Sequence, residues 1–127
     1  MAFDPMLFVD DVEASSRWYQ GLLGLRGGHG GPHYEMLMAG SDLVLQLHHA
    51  DADEHGGERL PAGSVRGAGV LLYFKVDDVA AAYARAQAMG VRVEGPPSFI
   101  EQAGHTEFVA RDPDGYALAV FQRGNAG

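Results

Sequence analysis

No cysteine occurs in the sequence, which excludes disulfides, thiolate nucleophiles and cysteine-ligated zinc. Long apolar runs are missing too. "VLLYF" and "ALAVF" are strand-sized, far short of the roughly 18 apolar residues of a membrane span, so no membrane partner is expected. The opening "MAFDPMLF" has no basic segment ahead of a long apolar one, as a signal peptide would, and a cytoplasmic address is expected. Basic residues are few: nine Lys and Arg against 17 Asp and Glu, a formal charge of −8. They form no stripe, which argues against a nucleic-acid partner. The acidic balance serves solubility and would also draw cationic small molecules. Neither a "GxSxG" nor a serine with a paired base is present, so nothing nominates a serine nucleophile.

What is there fits one compact domain. The chain has 127 residues, 46% of them hydrophobic and 20% charged, enough to bury roughly two-thirds of its unfolded surface. Within it one phrase is written twice. "VDDVEA" (residues 9–14) returns as "VDDVAA" (residues 76–81), 67 positions later, with five of six letters unchanged.

The context repeats with the phrase. "PMLFV" (5–9) is a short apolar run opened by proline, as a strand can be. Asp10 or Asp11 then offers an oxygen to the free amides of a helix, and Glu13 stands three residues after Asp10 as in a capping box. Val12, Ser16, Tyr19 and Leu22 or Leu23 follow at helical spacing, and Gly24 can close the helix in the left-handed conformation. In the second copy "GVLLYFKV" (69–76) is the strand and Asp77 or Asp78 the cap. Val79, Ala82, Tyr83, Ala86 and Met89 form the stripe, and Gly90 closes it. Strand-like runs follow each helix: a weak one near Leu25, then "HYEMLMA" (33–39) and "DLVLQLH" (42–48); later "VRVE" (91–94), "TEFVAR" (106–111) and "YALAVFQ" (116–122). "AGSD" (39–42) and "DPDG" (112–115) supply hairpin turns.

The expected fold is α+β, a single domain (1–127) of two βαβββ modules at residues 4–48 and 69–123. A polar, glycine-rich connector at 49–68 joins them. The repeated aspartates are read as caps, not as catalytic groups.

Two βαβββ modules, the aspartate-led helices and "RDPDGYALAVFQ" (111–122) together resemble the vicinal oxygen chelate superfamily of glyoxalases, extradiol dioxygenases and bleomycin-resistance proteins. The resemblance spans roughly residues 5–122 and is nearest in character to the bleomycin-resistance-like members. It implies that each sheet curls into half of a cup, and that two chains pair as a homodimer. It also implies where metal ligands would stand: Asp4 and Leu71 on the first strands, Gln46 and Ala119 on the last. Leu71 and Ala119 carry no donor, and Gln46 is a weak neutral one, so no metal is expected at those positions and no cofactor is expected at all.

The function this implies is binding or sequestering of a small molecule in a metal-free, largely apolar cup. Alternation places Met6 and Phe8 on one strand face, Leu71 and Tyr73 on another, and Tyr34, Met36 and Met38 on a third. With Gln46, His48 and Ala119 they form the expected ligand-binding set. The second reading is a divalent-metal-dependent lyase or dioxygenase with relocated ligands, drawn from His48, His105 and Glu107. His105 and Glu107 alternate onto one face in "GHTEF" (104–108), and they are the candidate acid–base pair. His48, His49 and His55, with Asp51, Asp53 and Glu54, are read as a solvated connector rather than a metal site. "GLRGGHGGPH" (24–33) is read as a flexible link rather than a phosphate loop, because it follows a helix and lacks Lys-Ser/Thr.

Overall fold

The computed structural model describes residues 1–51 and 64–126; Asp53, Glu54 and His55 lie outside the described residues. Backbone contacts divide the chain into two compact units, Met1–Ser64 and Val65–Gly127, and each holds one copy of the repeated phrase.

The first unit runs β1 (Met6–Val9), α1 (Val12–Leu23), β2 (Arg26–Gly27), β3 (Tyr34–Ala39) and β4 (Asp42–His49). Its sheet has the order β1-β4-β3-β2, with β1 parallel to β4 and the other neighbours antiparallel. This is the expected βαβββ order. Helix α1 begins where Asp11, in extended conformation, accepts a hydrogen bond from the Ala14 amide at 3.0 Å. The third helical position is therefore Ala14, and Glu13 lies one residue too early to close a capping box. Gly24 ends the helix at φ 70°, its amide bonded to the Gln20 carbonyl at 2.9 Å; a side chain would strain that left-handed backbone. Val12, Ser15, Ser16, Tyr19 and Leu22 form the buried stripe. They share the core with Leu7, Val9, Leu37, Leu45 and Leu47, all 6% exposed or less. Each such aliphatic side chain contributes about 1.5–3 kcal/mol by leaving water.

The second unit runs β5 (Leu71–Lys75), α2 (Val79–Met89), β6 (Arg92–Val93), β7 (Ser98–Ile100), β8 (His105–Arg111) and β9 (Ala117–Arg123). Its path is β5-β9-β8-β6, with β5 parallel to β9, and β7 pairs farther along the edge of β8. Strand β7 is one more than the sequence led us to expect. Its residues are all exposed, so they carry no alternation signal, yet they cover backbone groups of β8 that would otherwise lie on an open edge. Asp78 caps α2 through the Ala81 amide at 3.0 Å, and Gly90 ends it at φ 71°. Val79, Ala82 and Ala86 are buried as expected. Met89 is not: at the last helical position it is 39% exposed.

The "DPDG" turn is held from within. Asp112 Oδ1 accepts from the amides of Asp114 and Tyr116 at 2.9 Å each, and Gly115 N–H donates to the Asp112 carbonyl. Arg66, 6% exposed, reaches Asp114 at 3.2 Å. Residues expected to end the connector are thus built into the second unit. Among the described residues no helix is long and apolar enough to cross a membrane.

Candidate functional site

Each sheet has a face that packs on its helix and a face that does not. In the first unit, Ser16 on α1 bonds Glu35 on β3, so odd positions of β3 face the helix and even positions face away. Register carries the same alternation across the sheet. Met6 pairs with Gln46 and Phe8 with His48 on one side of β4; Met36 pairs with Gln46 and Tyr34 with His48 on the other. Met6, Phe8, Tyr34, Met36, Gln46 and His48, with Met38 beyond a register shift, therefore share the face turned from α1.

The aromatic groups of this face touch. His48 lies 5.6 Å from the Phe8 ring and 6.2 Å from the Tyr34 ring, centroid to centroid. The His48 Nδ1–H donates to the His49 carbonyl at 3.1 Å, while the neighbouring His49 turns to the Asp51 amide. The two histidines point to opposite sides, as strand geometry requires. Tyr34 O–H donates to Gln46 Oε1, and Gln46 Nε2–H donates to the Asp4 carbonyl at 3.0 Å. Burial, Asp4 and Glu35 all push the Tyr34 hydroxyl above its ordinary pKa, so it remains a donor at neutral pH.

Those bonds decide how well a divalent ion would fit. The Gln46 amide is occupied at both ends, and Leu71 and Ala119 have no donor atom. Among the described residues no three His, Cys, Asp or Glu side chains are grouped as an ion would need. The residues at the positions implied for a metal do not fit one.

In the second unit Leu71, Tyr73 and Lys75 alternate with the half-buried Leu72 and Phe74. Tyr73 pairs with Ala119, Ala119 with Val109, Lys75 with Phe121, and Phe121 with Glu107. Tyr73, Lys75, Ala119, Phe121, Glu107 and His105 thus share one face, and four of them form a connected cluster. Glu107 Oε1 accepts from His105 Nε2 at 2.6 Å and from the Tyr73 hydroxyl at 3.2 Å. The rings of Tyr73, His105 and Phe121 lie 4.8–5.8 Å apart. Partial burial and the Glu107 carboxylate raise the Tyr73 pKa, keeping this hydroxyl protonated as well. The expected acid–base pair is therefore in direct contact. Phe121 and Arg123, whose guanidinium stands 5.9 Å from the Phe121 ring centre, were not expected in the site. Alternation from Ala119 would have placed both there.

On the helix side of the first unit, the glycine-rich segment is anchored rather than loose. Glu35, 5% exposed, accepts from Ser16 Oγ and from the amides of His29, Gly30 and Met36 at 2.8–3.0 Å. Burial would raise its pKa, but these donors outweigh burial and the net shift is downward. Gly27 is required by this packing, since a Cβ there would stand 2.8 Å from Glu35 Oε2. A depression of about 170 Å³ opens beside Ser16, Gln20 and Glu35. It lies away from the face of Met6 and Phe8, and its Ser16, Gln20 and Glu35 side chains are bonded within a single chain.

The profile of the Glyoxalase/Bleomycin resistance protein/Dioxygenase superfamily matches residues 4–120. No curated protein matches in sequence. Solved structures do. A protein of unknown function from Agrobacterium tumefaciens is 28% identical with a TM-score of 0.78, over 96% of this chain and 94% of that one. A glyoxalase/bleomycin resistance protein/dioxygenase family enzyme from Burkholderia phytofirmans is 20% identical with a TM-score of 0.76, over 94% and 96%. A lactoylglutathione lyase from Agrobacterium tumefaciens is 20% identical with a TM-score of 0.70, over 96% and 92%. The last two likenesses are of fold.

Proposed function

Since the chain belongs to the Glyoxalase/Bleomycin resistance protein/Dioxygenase superfamily, we propose that it binds a small organic molecule against its helix-free sheet faces, without a metal ion, as a homodimer. The observation that carries this reading is the shared face of Met6, Phe8, Tyr34, Met36, Gln46 and His48. It is largely apolar, with a few polar groups already oriented by bonds to one another, as small-molecule sites generally are. The exposed Leu71, at 44%, is part of the surface a second copy would cover.

The test is binding of aromatic compounds to protein dialysed against EDTA, followed by calorimetry. Micromolar affinity, about −8 kcal/mol, is expected, and Phe8→Ala should weaken it at least tenfold. Stoichiometric divalent metal surviving the dialysis, or loss of all binding on its removal, would favour the metalloenzyme reading instead.

A further inference from the structure

The cluster on the second unit's face is more than a binding surface needs. An ionised carboxylate only accepts hydrogen bonds, so the His105 nitrogen 2.6 Å from Glu107 Oε1, Nε2, must carry a proton. In neutral imidazole the other nitrogen, Nδ1, then holds the lone pair. Among the described residues no group bonds Nδ1. Glu107 therefore fixes the tautomer and would stabilise the imidazolium formed when Nδ1 takes a proton.

We propose that His105, oriented by Glu107, is a metal-independent general base that removes a proton from the carbon beside a ketone of an aryl 2-oxo acid. The proposal rests on the reading of this face as a ligand site. The rings of Tyr73 and Phe121, 5.6 Å apart, offer an aromatic group its platform. Arg123 pairs with His105 across the strands, and Lys75 pairs with Phe121. They supply cations for a carboxylate and for the charge that develops on the ketone oxygen. The step balances without another reactant. The C–H bond breaks toward Nδ1, its electron pair becomes the enolate double bond, and the oxygen takes the charge. Returning the proton to oxygen gives the enol and restores neutral His105.

The groups facing His105 are Glu107 on its own strand, Tyr73 and Lys75 on β5, and Arg123 on β9; β7 presents Ile100 across from it. Glu107 is a positioning residue, so its removal has a signature beyond lost rate. The experiment follows phenylpyruvate tautomerisation, and deuterium uptake at its methylene in D2O, with EDTA present. Benzoylformate, which has no enolisable proton, reports binding alone by calorimetry.

Wild type should exceed buffer on the order of 10,000-fold, and His105→Gln should return the rate to that of buffer. Glu107→Gln should lose on the order of 100-fold, within the usual range of acid–base contributions. Benzoylformate affinity should be kept, so that the loss falls on turnover and not on binding. Deuterium uptake no faster than in buffer, or a folded His105→Gln protein as active as wild type, overturns the proposal. If benzoylformate binds all the same, the binding reading stands without the catalytic one. Should His105→Gln not fold, a folded Glu107→Gln protein that keeps the wild-type rate overturns it equally.

Discussion

The two units solve the same corner identically and fill the space behind it differently. Asp11 and Asp78 cap their helices at φ −139° and −140°, and Gly24 and Gly90 end them at φ 70° and 71°. Behind α1, Ser16 bonds the buried carboxylate of Glu35. A shift of 67 places Ser16 on Tyr83. Glu35 pairs with Leu47, and Leu47 with Leu7; Phe108 pairs with Val120, and Val120 with Phe74. Glu35 and Phe108 are therefore equivalent, and where one unit has a hydrogen bond the other has two rings 5.3 Å apart. Charge diverges as well: Met1–Ser64 carries ten acidic and three basic residues, Val65–Gly127 seven and six. The acidity that would draw cations thus belongs to the first unit. The strand frame is kept by its caps and turns, and both sides of each sheet are free to specialise.

That contrast can be broken most severely on the aromatic side. Phe108 is 2% exposed, and Phe108→Ala leaves a cavity against Tyr83 that should cost about 3–5 kcal/mol in urea denaturation. Glu35→Ala removes one acceptor from Ser16, His29, Gly30 and Met36 together, and should cost about 1–3 kcal/mol. Only the second unit's defect should be independent of acid. Because the folded pKa of Glu35 is depressed, its contribution is complete above the ordinary glutamate value of 4.5. It is lost as pH falls below that value toward the folded pKa. Wild type should converge on Glu35→Gln in acid, while Phe108→Ala keeps its deficit throughout. Parallel curves for wild type and Glu35→Gln would show that the carboxylate is not stabilised by its four donors.

Local geometry was legible in the sequence wherever one residue type solves one backbone problem. The aspartate caps, the glycine ends, the "DPDG" turn and the period-2 alternation of β3, β4 and β8 all followed from such rules. So did the contact between His105 and Glu107, because residues two apart on a strand share a face. The rest needed partners distant in sequence. Strand β7 exists because β8 has an edge to cover, and its exposed Ser98, Phe99 and Ile100 show no pattern of their own. The anchoring of "GGHGG" by Glu35 depends on a buried acid, an arrangement that burial statistics disfavour until its donors are counted. Tyr73 joining His105 at Glu107 requires β5 and β8 to flank β9, which is topology rather than pattern.

The smallest effect tests the duplication itself. If both corners are the same device, Asp11→Ala and Asp78→Ala should each cost about 1 kcal/mol, since each removes one 3.0 Å acceptor from an amide three residues on. The two sites lie in separate compact units, so the double variant should lose the sum of the single losses. Local hydrogen exchange should rise at Ala14 in one variant and at Ala81 in the other. The helices do differ in one respect that could unbalance the pair: the Val79 amide of α2 also donates to Gln122 Oε1 at 2.9 Å. That extra acceptor serves the first helical residue, whereas Asp78 serves the third, so the two do not substitute for one another. A much smaller loss for Asp78→Ala would mean that β9, through Gln122, holds the start of α2, and that the second corner no longer depends on the aspartate it inherited.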